Sequence, residues 1–127
     1  TVPIATSADV VVTWASTMLH CGISIYRLLD ASSTATETDS DTVDPIDMVL
    51  SPAANTFVIG TGINYGGASW TWTGITEDVN LAVGENNAYV ASASDFFASA
   101  SPLLAIKGDP AGGTTNAVGV CAVFTGG

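Results

Sequence analysis

Four carboxylates, Glu37, Asp39, Asp41 and Asp44, fall within eight consecutive positions. Alternate acidic side chains in a loop can wrap a hard cation, and Ca2+ takes about six to eight oxygen ligands. The spacing is not that of an EF-hand, which needs a glycine at its sharp turn and a glutamate at its last position. The plainer reading is a solvated acidic loop that keeps neighbouring molecules apart. No cofactor other than Ca2+ is suggested by the residues.

Trp70 and Trp72 are two positions apart, so on a strand they share one face. An exposed aromatic pair stacks on sugar rings or anchors an interface, because it offers large area at small entropic cost. Tyr65, Trp14 and Tyr89 are candidates to extend such a surface. The competing reading places Trp70 and Trp72 in a core, with Thr71 and Thr73 facing water, and it is the favoured one.

Catalytic constellations are weak. The single histidine, His20, lies on the polar side of a predicted strand, where a half-exposed surface role is expected. Gly67-Ala68-Ser69-Trp70-Thr71 lacks the second glycine of a nucleophile elbow. Glycoside hydrolysis needs two carboxylates facing each other across a bond. Glu77 and Asp78 are adjacent and point to opposite faces of a strand, while pairs such as Glu77 with Glu85 or Asp95 have no supporting pattern. No phosphate-cradling glycine loop is present in a strand–loop–helix context. The expectation is a protein that is not an enzyme.

The elements that would carry these side chains read as strands. Ala8–Trp14 is β-branched, and Met18–Leu29 alternates Leu19, Cys21, Ile23 and Ile25 against His20, Gly22 and Ser24. Ala31–Asp44 is polar, acidic and aperiodic, so it is expected to be a long exposed loop. Further strands are predicted over Pro45–Ser51, Asn55–Asn64, Ser69–Thr73, Ala88–Ser94, Leu103–Lys107 and Ala117–Phe124. Val79–Val83 is expected to be short and irregular, and Ser94–Ala100 to form one helical turn capped by Ser94. Turn signals separate about seven to nine strands, the rhythm of an all-β fold. The prediction is a single antiparallel β-sandwich, jelly-roll or immunoglobulin-like, over residues 1–127. Thr1–Ile4 could reach a neighbour as an N-terminal arm, set within residues 1–7.

Composition bounds the partners. Two basic residues, Arg27 and Lys107, stand against twelve acidic ones, for a net charge of −10. Such a surface neither neutralises phosphates nor docks on anionic lipid, so no nucleic acid and no membrane is expected as a partner. Hydrophobic residues make up 47% and charged ones 11%, the reverse of a disordered chain. The apolar runs are far shorter than the roughly 20 residues of a spanning helix. No signal peptide is visible, and a chain starting at Thr1 rather than Met reads as a processed product or a fragment.

Cys21 and Cys121 match no zinc or CxxC spacing. They read either as two buried thiols or as one disulfide tying an early strand to the last. On β-alternation, Cys121 shares a face with Val123 and opposes Val118, Val120 and Phe124.

Tyr26-Arg27-Leu28-Leu29-Asp30-Ala31, then Trp72-Thr73-Gly74-Ile75-Thr76-Glu77-Asp78, then Ala88–Ala93 carry a resemblance. Over Ile23 to Phe97 the chain resembles small β-sandwich virion structural proteins of bacteriophages and prophage-like elements. That resemblance implies a capsid decoration or fibre component at the virion surface, with its own copies or capsid and tail proteins as partners and no catalytic residues. Two other functions fit the residues. One is a carbohydrate- or receptor-binding module using Trp70, Trp72, Tyr65 or Tyr89. The other is an extracellular, secreted filament subunit with Thr1–Trp14 as donor strand.

Overall fold

The computed structural model describes residues 11–13, 15, 22–83, 87–112 and 116–126. They form eight strands and no helix. These are β1 Glu37–Asp41, β2 Ile46–Leu50, β3 Thr56–Tyr65, β4 Trp70–Thr73, β5 Thr76–Ala82, β6 Tyr89–Phe97, β7 Leu104–Pro110 and β8 Asn116–Thr125. They build two packed antiparallel sheets, ordered β1-β8-β3-β6-β5 and β2-β7-β4. The fold is therefore an all-β sandwich.

The pairing nests. β1 lies beside β8, β2 beside β7 and β3 beside β6, as if one long hairpin had been rolled into two layers. This is the jelly-roll order. It departs from full nesting at one place, because β5 pairs with β6 in the larger sheet rather than with β4 in the smaller one.

Alternation explains which side of each strand is buried. On β2, Ile46, Met48 and Leu50 point inward while Asp47 and Val49 face water. On β8, Ala117, Cys121 and Val123 are buried and Val118 and Val120 are exposed, as the alternation predicts. Val58 and Ile106 complete the centre of the core.

Several local expectations are corrected. The segment expected to be a loop at Ala31–Asp44 contains β1. Ser94–Ala100 is not helical, since β6 runs through Phe97. β5 begins at Thr76, ahead of the short, irregular stretch expected at Val79–Val83, and carries a register shift between Glu77 and Val79. Residues 22–28 are extended but join no strand, and Ile23 and Ile25 face solvent. Ala8–Trp14 lies mostly outside the described residues, as do the Thr1–Ile4 arm, Trp14, His20, Cys21 and Glu85.

Candidate functional site

Three features concentrate the polar and aromatic chemistry: an acidic seam, a buried aromatic pair and one sheet face. The seam closes one side of the sandwich. β1 and β2 are edge strands of different sheets. Every second residue of an edge strand aims its N–H away from its paired neighbour. On β2 these donors belong to Asp47 and Val49, followed by Ser51. Asp41 Oδ2 accepts from Asp47 N at 2.9 Å, Asp39 Oδ2 from Val49 N at 2.8 Å and Glu37 Oε2 from Ser51 N at 2.9 Å.

A row of carboxylates thus stands where a neighbouring strand would place carbonyl oxygens. Their second oxygens are also engaged at two positions: Asp39 Oδ1 accepts from Ser40 N at 2.9 Å, and Asp41 Oδ1 from Thr42 N at 2.7 Å. The N–H of Asp47, followed by that of Thr42, holds the Asp41 carboxyl below its ordinary value. Asp44 sits in the turn at 42–45, outside the row. The acidic cluster is therefore a hydrogen-bonded lacing between sheets. Among the described residues no group of three or more His, Cys, Asp or Glu is arranged to hold a metal ion.

The opposite side is laced too. The Asn80 side chain on β5 accepts from Trp70 N at 3.2 Å and donates to Trp70 O at 2.8 Å. One amide thus takes the place of the backbone pairing that full jelly-roll nesting would give between β4 and β5. Glu77 Oε2 holds the same amide from the other side, at 3.2 Å.

Trp70 and Trp72 are 3% and 9% exposed, so neither offers a free face for stacking on a ligand. They are stacked on each other with centroids 5.7 Å apart. Glycines make the room. A Cβ on Gly62 would lie 2.6 Å from Trp70 Cη2, and one on Gly108 would lie 2.8 Å from Trp70 Cζ3. Trp70 Nε1 donates to Asn64 Oδ1 at 3.2 Å, and Tyr89 N donates to the same oxygen at 3.1 Å. Asn64 Nδ2 donates to Ala68 O at 3.1 Å. Asn64, 1% exposed, is thus a polar hub that no motif announced. Trp72 Nε1 is buried with no hydrogen-bond partner among the described residues.

The other candidate groups have local duties. Asp95 accepts from Thr76 N at 3.0 Å and from Thr76 Oγ1 at 3.1 Å, while Glu77 holds Asn80, so the two carboxylates serve separate partners. Cys121 is a free, buried thiol, and burial followed by the Asp39 charge pushes it up to about 11. Tyr65 is 48% exposed and stands at the rim of a shallow cavity of about 290 Å3, beside Ile63, Ala88, Asn116 and Val118.

What remains open is the β1-β8-β3 part of the outer face of the five-stranded sheet. β3 places Phe57, Ile59, Thr61 and Ile63 there, and β8 places Val118, Val120, Ala122 and Phe124. β1 adds Thr38 and Ser40, so these three strands put no charged side chain on it. Val118 and Val120 are each 43% exposed, and Phe96, packed on Phe57 at 4.9 Å, is 52% exposed. Among the described residues no helix is long and apolar enough to cross a membrane. Comparison with protein-family models, with curated proteins and with solved structures finds no match.

Proposed function

We propose that this chain is a non-enzymatic structural subunit of a phage-like virion, a capsid decoration or fibre component. It assembles with further copies of itself through the outer face of the five-stranded sheet. The observation that carries the reading is that β1, β8 and β3 put no charged side chain on that face, in a molecule of net charge −10. Two such molecules repel least where neither presents a carboxylate, and apolar contact there supplies the attraction. The jelly-roll order supports the reading by analogy of fold alone, since capsid domains use it. The sequence resemblance points the same way.

Sedimentation velocity and negative-stain imaging test it. The expected result is concentration-dependent assemblies that Val118→Lys with Val120→Lys disperses without unfolding the monomer. A strictly monomeric protein at high concentration would overturn it.

A carbohydrate-binding reading keeps one specific support, the exposed Tyr65 ring beside its cavity, and lectin domains also use jelly rolls. A glycan array signal that Tyr65→Ala abolishes would favour it over the structural reading. The filament reading with Thr1–Trp14 as donor strand falls largely on residues outside the described ones.

A further inference from the structure

We propose that residues 22–30 are an exchangeable strap, which a second copy of this chain supplies in trans when subunits assemble. The inference rests on the self-assembly proposed above and names the element that performs it.

The strap lies on the outer side of β5 and β6. Gly22 sits directly on Val90, where any Cβ would collide with the valine methyl groups. Tyr26 Oη donates to Asp78 Oδ2 at 2.7 Å, and Ser94 Oγ donates to the same oxygen at 2.7 Å. Under this cover Val90 is 7% and Ser92 0% exposed, although both lie on the outward side of β6. The structure thus shows what this half of the face accepts, namely an extended segment with a glycine over Val90 and a phenol over Asp78. A second copy carries an identical segment.

Three features favour exchange. First, the strap belongs to no strand. It alternates, with Ser24, Tyr26 and Leu28 turned toward the sheet and Ile23, Ile25 and Leu29 left in solvent. Those three apolar side chains gain a covering when a neighbour closes over them.

Second, a hinge separates the strap from the sandwich. Asp30 has φ +51°, and directly after it the chain is fixed by the Ala31–Gly126 bridge and by Ser32 N donating to Thr125 O at 2.8 Å. The left-handed region is unfavourable for a residue with a Cβ, and short hinges under strain invite swapping. Rotating Asp30 into the extended region relieves that strain and swings the strap off its own sheet. The docking contacts are the same in cis and in trans, so the hinge and the subunit concentration decide the balance.

Third, the strap carries the exposed Arg27, one of only two basic residues in the chain. In trans it delivers a cation to a partner of net charge −10, which offsets part of the repulsion between copies.

Cross-linking distinguishes cis from trans. A Cβ at Gly22 lies 2.8 Å from Val90 Cβ, and a disulfide needs about 3.8 Å, so a small shift of the strap permits the bond. Gly22→Cys and Val90→Cys are made in separate chains, each also Cys21→Ser, then refolded together under mild oxidation. A covalent dimer holding one chain of each kind is expected on non-reducing electrophoresis. Closure only within the Gly22→Cys/Val90→Cys double variant, with no dimer from the mixed chains, overturns the exchange. If sedimentation still shows assemblies, self-assembly survives that result; monomers alone sink both.

The hinge gives an independent reading. Proline cannot adopt φ +51°, so Asp30→Pro should strengthen dimerisation about tenfold, whereas Asp30→Gly should weaken it. Equal dimerisation of the two variants also overturns the proposal.

Discussion

Asp39 Oδ2 accepts the Val49 backbone N–H at 2.8 Å, across the gap between two strands that belong to different sheets. The carboxylate thereby satisfies an edge donor that would otherwise be free to recruit a foreign strand. Glu37 and Asp41 repeat the contact two residues to either side. The row is a reason for three acidic residues at alternate positions that needs no cation. Asp39→Ala should cost about 1 kcal/mol, the scale of a partly exposed charge-assisted hydrogen bond. Asp39→Asn keeps an acceptor for Val49 and should cost less. Urea titration of the two variants checks the order, and equal midpoints would count against the lacing.

Acid should open the same seam. The Asp41 carboxyl is held below its ordinary value by the Asp47 N–H first and the Thr42 N–H next. A group with a depressed folded-state pKa stabilises fully above its unfolded value, about pH 4, and that stability drains as pH falls through the folded value. The melting temperature should therefore fall as the pH drops below about 4. In an Asp41→Asn variant that fall should be smaller, because the amide oxygen still accepts from Asp47 N and carries no proton to gain. An identical acid slope in the two proteins would refute the assignment.

The seam also shows why sequence reading succeeded in some elements and failed in others. β2, β4 and β8 were legible because apolar residues face inward and polar ones outward at period two. β1 has the same period, but its inward side chains are carboxylates, so Glu-Thr-Asp-Ser-Asp read as a solvated loop. Ile23 and Ile25 misled in the opposite sense, since their alternation resembles an inward face but belongs to a strap lying over the sheet. The choice between jelly roll and immunoglobulin-like sandwich depends on which distant strands meet, and no local pattern encodes that. The Trp-x-Trp pair was visible in the sequence, with the core as its favoured place. Asn64 and Asn80, which hold it from two sides, carry no spacing signal because their partners are mainly backbone groups.

Gly60 and Gly62 look like flaws in β3 when only its own propensity is considered. Opposite the stacked indoles they are a fitted recess. Gly62→Ala would set a methyl group 2.6 Å from Trp70 Cη2, against the stacked pair. Overpacking of this type costs about 1–3 kcal/mol. Thermal melting measures the loss, and indole emission should shift as the stack is displaced. A variant as stable as the parent would show that the recess has slack the structure does not.

The two indoles should differ in what their N–H groups contribute. Trp70 Nε1 donates to Asn64 Oδ1, whereas Trp72 Nε1 is buried without a partner among the described residues. Trp70→Phe removes ring volume and a hydrogen bond; Trp72→Phe removes ring volume and an unsatisfied donor. The first should be the more destabilising by about 1 kcal/mol, with Asn64 left holding only its backbone partners. Equal losses on chemical denaturation would mean that the indole N–H of Trp70 contributes nothing net.

Cys121 should be chemically silent in the folded protein. Its thiol is 1% exposed on the inner side of β8, and burial, followed by the nearby Asp39 charge, pushes it up to about 11. The thiolate is the reactive species, so both access and ionisation oppose modification at neutral pH. A Cys21→Ser variant isolates this thiol. Ellman's reagent should then titrate almost no thiol in native buffer and one per chain in denaturant. The native rate should follow global unfolding, slowing when the protein is stabilised and quickening when the seam is weakened by Asp39→Ala. Fast native labelling, independent of that substitution, would place the thiol at an accessible surface and contradict the inward facing of β8.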